Sequence, residues 1–231
     1  MKEIFDRYVE ITFDGEAQAG FKFHQFELNY RGYFPEDRGA AVLDIGVGRG
    51  EMLSCMKRWG YQELGVDISP SAVAHCGKLG LRCELTDDTA AWLGSRPGRF
   101  QAITCFDVLE HVPREHTVAF LTAIRAALAD GGVALIQVPN LQSPFGYLHH
   151  FNDFTHVVGF VEHSLAQVLK ASGFTDFSIR GFEESYRRGF KAAVRRGLRA
   201  VYRRCVRFLR RLNDNPDPGV LNPVMFVAAR K

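Results

Sequence analysis

The stretch Val42-Leu43-Asp44-Ile45-Gly46-Val47-Gly48-Arg49-Gly50 ends an apolar run in a glycine turn, a backbone that a ligand can approach without meeting a Cβ. Its spacing is G-x-G-x-G, which departs from the dinucleotide fingerprint G-x-G-x-x-G. Asp44, two residues before the first glycine, would repel a pyrophosphate, so the turn suits a cation or a hydrogen-bond donor. Asp67, followed by Ile68, closes the next apolar run, where a carboxylate can take both hydroxyls of a ribose. Asp87 and Asp88 follow the third run, where an acid can receive an adenine amino group. Acids at three strand ends around one glycine turn describe a ligand that joins an ammonium or sulfonium, a ribose and an adenine. Singly, each acid could instead cap a helix start.

A second group of chemistry-bearing residues follows the fourth run. Asp107, Glu110 and His111, spaced i, i+3 and i+4, are expected on one face of a helical turn. His111 could serve as a general base with a pKa near the working pH, an acid orienting its ring. Alternatively Asp107, Glu110, His111 and a loop histidine such as His150 could hold Mg²⁺ or a transition metal. A helix start that favours acids, with a packed histidine, is the third option. The loop beyond carries His149, His150, Asn152, Asp153 and His156 beside Phe145, Phe151 and Phe154. Polar groups for hydroxyls and rings for apolar faces make an acceptor site suited to sugars, unless Asp153 and His156 merely hold the loop together.

Such groups need a frame that gathers strand ends. Apolar runs at Ala41–Ile45, Glu63–Ile68, Leu81–Glu84, Ala102–Phe106 and Gly132–Val138 alternate with helical stretches at Glu51–Trp59, Ser71–Lys78, Thr89–Leu93 and Glu115–Ala129. That alternation predicts a parallel α/β sheet with crossover helices. Asp130-Gly131-Gly132 reads as a turn, and Pro139 to about Val158 as a long loop. A helix at Ser164–Ser172 and strands at Thr175–Phe182 and Pro223–Ala229 complete the series. Residues 1–38 are expected to form an N-terminal helical cover. Its aromatic stretch, Phe21 to Tyr30, would lie over a pocket or pack on the sheet edge. Residues 39–231 form the main domain, with 186–213 as an insertion.

The chain has 231 residues, 46% hydrophobic and 24% charged, the make-up of one folded domain with an appendage, which excludes disordered, collagen-like and rod-like classes. No run of roughly 18 apolar residues occurs, and acids interrupt the start, so neither a membrane span nor secretion is expected. Five cysteines without a C-x-x-C pair point to a reducing cytosol. The net charge of +3 conceals an asymmetry, because residues 186–213 carry eleven Arg and Lys and no acid, leaving 18 basic against 26 acidic residues elsewhere. Phe190, Val194, Leu198, Val201, Cys205, Phe208 and Leu212 recur there every three or four residues, as in a basic amphipathic helix. Residues 186–212 would then suit an anionic membrane surface. Packing on the domain or on a second copy is the alternative; the acidic remainder disfavours nucleic acid.

The Asp44 acid, the G-x-G-x-G turn and the strand-end Asp67 resemble the signature of the class I S-adenosylmethionine-dependent methyltransferases. The resemblance runs from about Ala41 through Phe182 and again over Pro223–Lys231, with further matches at Phe106–Val112 and Leu128–Gly132. It implies a Rossmann-like seven-stranded α/β sheet ordered 3-2-1-4-5-7-6, strand 7 antiparallel, with the basic helix inserted between strands 6 and 7. It also implies S-adenosylmethionine as donor and S-adenosylhomocysteine as product, held by Asp44, Gly46, Gly48, Gly50, Asp67, Ile68, Asp87, Asp88 and Phe106.

Cys105-Phe106-Asp107 carries neither the N/D-P-P-aromatic motif of nucleobase amino methylation nor a Pro-Cys pair, which leaves an oxygen or simple nitrogen as acceptor. Pro139-Asn140 followed by His150-x-x-Asp153-x-Thr155-His156 resembles a loop of methyltransferases from bacterial polysaccharide and lipid-linked glycan synthesis. Asp107-x-x-Glu110-His111 is similar to the E-x-x-E-H pattern of metal-dependent quinone and RNA-ribose enzymes, with Asp for the first Glu. The expectation is therefore O-methylation of a sugar hydroxyl on a lipid-linked or anionic glycan, in the cytoplasm or peripherally on the cytoplasmic membrane face. A metal-dependent quinone, phenol or RNA-ribose enzyme is one alternative, and an inactive module of the same fold at a membrane is another.

Overall fold

A computed structural model describes residues 2–7, 10–11, 19–183 and 189–231. Seven strands form one sheet: β1 (Ala41–Ile45), β2 (Gln62–Asp67), β3 (Cys83–Leu85), β4 (Phe100–Phe106), β5 (Leu128–Pro139), β6 (Asp176–Gly181) and β7 (Val224–Arg230). Their order is β3-β2-β1-β4-β5-β7-β6. The first five run parallel, and β7 is antiparallel to both β5 and β6. The expected order and the antiparallel last strand are both present.

Helices cover both faces, and so the central strands are apolar on both sides. On one face, α5 (Thr89–Gly94), α6 (Arg114–Ala127) and α8 (Glu162–Ala171) bury Leu93, Leu121, Ile124 and Leu165 against Leu43, Ile45, Ile103 and Ile136. On the other, α2 (Ala19–Tyr30), α3 (Glu51–Arg58) and α4 (Pro70–Lys78) bury Tyr30, Leu53, Met56 and Cys76 against Val42, Ala102, Val133 and Leu135. The two-residue strand period places Asp44, Thr104 and Gln137 in phase with this second set, at the carboxyl ends of their strands. Polar groups thus arise where β1 and β4 part to opposite crossovers, the switch point at which open α/β sheets bind ligands.

Two features differ from the sequence reading. The Asp130-Gly131 turn lies inside β5, where the register with β4 shifts between Phe100 and Ala102. The long loop after β5 contains a short helix, α7 (Gly146–Phe151). A five-residue helix, α1 (Lys2–Asp6), opens the chain, and α9 (Phe190–Leu212) stands between β6 and β7. The first residues of the expected insertion, including Arg187 and Arg188, lie outside the described residues, as do parts of 1–38. No helix among the described residues is long and apolar enough to cross a membrane.

Candidate active site

The turn after β1 is built by its glycines. Gly46, Gly48 and Gly50 have φ of 74°, 50° and 74°, and a Cβ on Gly46 would lie 2.2 Å from Val108 Cγ2. Both strain and contact demand glycine there. Gly46 N–H donates to the Val66 carbonyl (2.9 Å), and Asp67 accepts from Gly48 N–H (3.2 Å) and Ser69 N–H (2.7 Å). Asp67 thereby ties the turn to the start of α4, whose N-cap is Ser69 with Pro70 at its first position.

A cavity of about 350 Å³ opens over this turn. Asp44, Gly46, Gly48, Asp67, Ile68 and Phe106 all line it; Gly50 sits just behind as the N-cap of α3. Asp87 and Asp88 do not line it. Asp88 instead caps α5, accepting from Ala91 N–H at 2.9 Å, and Thr89 is the residue that reaches the wall. Asp88 thus has a local role as a helix cap.

Asp44 is buried, accepts from Thr104 O–H at 2.6 Å, and is pushed up to about 8 by desolvation, with Asp67 and Glu51 adding to the rise. Burial likewise raises Asp67. Two carboxylates with raised affinity for a proton, facing a bare backbone turn, form a site that a cation would stabilise. The residues fit S-adenosylmethionine: a sulfonium and an ammonium for the acids, and a Cβ-free turn for close approach.

On the side toward β5 and β7 the wall is formed by Phe5, Phe26, His111, Gln137, Phe182 and Val224. The sequence reading missed Gln137, Phe182 and Val224, which come from three separate strand ends. Tyr30 O–H donates to Gln137 Oε1, and Gln137 Nε2 donates to Asp107 at 2.9 Å. Asp107, at φ 54°, is turned toward Gln137. The residues are not on one helical turn as expected, because a positive φ at Asp107 precedes a 3-10 turn, Leu109–His111, though Asp107 and His111 both line the cavity.

Glu110 and His111 meet His156 instead: one ligand atom from each lies within 4.8 Å of the other two. Glu110 is fully buried, its two carboxylate oxygens lack a hydrogen-bond partner, and His156 Nε2 lies 3.7 Å from Oε1. Burial and Asp107 hold the Glu110 carboxyl well above the usual range, while burial and His156 pull His111 down to about 4. The expected base with a pKa near neutrality is thus replaced by an uncharged imidazole. Thr155 O–H donates to Asp153 at 2.6 Å and so accepts from His111 Nδ1, 2.9 Å away. His156 Nδ1 donates to the His150 carbonyl at 2.6 Å. The His156 imidazole therefore presents a lone pair at Nε2, as metal-binding histidines do. A carboxylate and two imidazoles fit a divalent cation, which would satisfy the orphaned Glu110 oxygens. His156 takes the place foreseen for His150, and Asp107 is not among the three.

Of the five loop residues read as an acceptor site, Asp153 and His156 are engaged inward and the His150 side chain is buried; only His149 and Asn152 are exposed. None of the five lines the cavity.

A family model described as a methyltransferase domain matches residues 21–179. A ubiquinone biosynthesis O-methyltransferase of Xanthomonas campestris is 33% identical over 110 residues, 44% of this chain and 44% of that protein. The protein of the same name from Xanthomonas euvesicatoria is 31% identical over 135 residues, 55% of this chain and 54% of that one. The chain spans about half the length of the curated relatives it matches. Among solved structures, a SAM-dependent methyltransferase from Archaeoglobus fulgidus superposes with a TM-score of 0.71 at 22% identity, over 99% of both chains. A possible histamine N-methyltransferase from Thermotoga maritima gives 0.69 at 16% identity, over 99% of this chain and 98% of that one.

Proposed function

This chain belongs to the class I S-adenosylmethionine-dependent methyltransferases, and from that premise we propose that it methylates a hydroxyl oxygen of an apolar, phenol- or quinol-like acceptor carried on a lipid. The observation that carries the reading is the Glu110–His111–His156 group, one of whose imidazoles faces a cavity wall built of Phe5, Phe26, Phe182 and Val224. The curated relatives are ubiquinone enzymes by name, which agrees with an aromatic acceptor.

Methyl transfer is an in-line displacement: an acceptor oxygen bonds to the methyl carbon, the carbon–sulfur bond breaks, sulfonium becomes thioether, and the acceptor proton passes to water. Position dominates such a step. Asp44 balances the donor's positive charge, Asp67 fixes the turn and offers itself to the ribose, and the bare backbone at Gly46 and Gly48 admits the ligand closely. Gln137, held by Tyr30, orients Asp107 beside the acceptor side of the cavity. Glu110, His111 and His156 would hold a divalent cation, whose chemistry is to acidify a coordinated hydroxyl. Asp153, through Thr155, fixes the orientation of the His111 ring.

The reading is tested with labelled S-adenosylmethionine and two acceptors, a prenylated catechol and a lipid-linked sugar. Methylation of the catechol, abolished by a chelator and restored by Mg²⁺ or Mn²⁺, is the expected result. His156→Ala should lower turnover about 10²-fold with donor affinity unchanged. A second reading, the sugar hydroxyl, draws on the exposed His149 and Asn152 beside Phe151 and Phe154; methylation of the sugar alone would replace the first reading with it.

A further inference from the structure

Amphipathic surface helices bury their apolar stripe; α9 does the reverse. The residues turned toward the domain include Arg203, Arg207 and Arg210, together with Tyr202. Arg203 donates to Asn222 (3.0 Å), Arg207 and Arg211 pair with Asp217 (3.2 and 2.9 Å), and Arg210 donates to the Pro216 carbonyl (3.2 Å). Tyr202 packs on Phe145 with ring centroids 5.7 Å apart. The opposite face leaves Phe190, Leu198, Val201, Phe208 and Leu212 between 59% and 85% exposed. At about 100° per residue these share one arc, with Arg204 on one edge and Lys191 and Arg195 on the other. Beside the helix, the segment Phe145–Phe154 exposes Phe151 (77%) and Phe154 (86%). The two feet of the insertion are cavity residues: the chain leaves at Phe182 and returns at Val224.

We propose that the outward face of α9, joined by the exposed rings of the Phe145–Phe154 segment, is a docking surface for an anionic lipid bilayer, which brings the cavity close to the membrane. An apolar arc bordered by cations matches a headgroup layer: rings and aliphatic chains enter it while flanking guanidinium groups remain among the phosphates. A second copy of the chain meeting the same arc about a two-fold axis would set these cations against their own kind. Nucleic acid would leave the apolar arc in water. The inference rests on the proposed function only in making the acceptor lipid-borne; the surface is argued from α9 itself.

The test is co-sedimentation of the full chain, with no methyl donor present, against vesicles of phosphatidylcholine and of phosphatidylcholine mixed with phosphatidylglycerol. The wild type should pellet with the mixed vesicles and remain in the supernatant with the neutral ones. Leu198→Ser/Val201→Ser/Phe208→Ser should lower partitioning at least about tenfold, and Lys191→Gln/Arg195→Gln/Arg204→Gln about 10²-fold. Circular dichroism and S-adenosylhomocysteine affinity should be unchanged in both, since none of the six residues lines the cavity. Equal pelleting of the wild type and both variants overturns the inference. So does a wild-type dimer that the apolar variant dissociates, which would assign the face to a second copy. Methylation of a water-soluble catechol should persist in both variants, so a failure of docking and a failure of the acceptor reading are separate results.

Discussion

Asp44 shows how a single residue can carry both recognition and a pH response. With its carboxyl pushed up to about 8, Asp44 is mostly protonated at neutral pH until a positive ligand arrives, and binding then expels the proton. Donor affinity should therefore rise as pH increases toward 8, and calorimetry in two buffers of different ionisation heat should register proton release. Asp44→Asn should weaken donor binding about 10- to 100-fold and remove the buffer dependence; a retained dependence would assign the proton to another group. This residue was legible in the sequence because acid, turn and strand end are contiguous. His156 was not: nothing local distinguishes it from His149 and His150, and only the inward fold of the loop, fixed by the Val157 and Val158 N–H bonds to the Glu110 carbonyl (2.8 and 3.0 Å), brings it against His111. Asp88 has a local role of its own, as the cap of α5.

At the scale of elements, the alternation of strands and helices was readable within a few residues, since period-2 and period-3.6 apolar patterns mark them directly. What packs against what is a long-range matter. In the aromatic stretch before β1, Gln25 and Phe26 line the cavity while Tyr30 packs on interior strands rather than a sheet edge, its ring 4.4 Å from that of Phe106 and 5.1 Å from that of Phe226. Tyr30→Phe should cost about 1–2 kcal/mol by orphaning the Gln137 carbonyl, lowering the melting temperature roughly 2–8 °C. Because Gln137 holds Asp107, the same change should raise KM for the acceptor more than for the donor; equal effects on both would reduce Tyr30 to a packing role. For α9 the amphipathic pattern was plain and its direction was hidden. A helical stripe does not say which side meets the protein; that was decided by Asp217 and Asn222, acceptors placed after the helix to receive its arginines.

For the whole molecule, recognition and stability are set against each other at the switch point of the sheet. A carboxyl whose pKa is higher in the folded chain than in the unfolded one makes the native state bind extra protons, so stability falls as pH rises from about 4 toward 8. His111, shifted down to about 4, acts in the opposite sense below about 6.5, so the wild type alone is an ambiguous probe. The difference between wild type and Asp44→Asn isolates the carboxyl: without ligand, the variant should gain a melting-temperature advantage that widens up to pH 8. At one saturating donor concentration the wild type should then be stabilised more than the variant, by about 1–3 kcal/mol for a 10- to 100-fold difference in affinity; a constant melting-temperature difference across pH without ligand would contradict this. The placement of α9 adds a consequence of another kind. Its span begins and ends at Phe182 and Val224, yet no described residue of α9 lines the cavity, so the helix acts as an address label on the catalytic domain. Exchanging that segment for one with a different exterior would send the same chemistry to another surface.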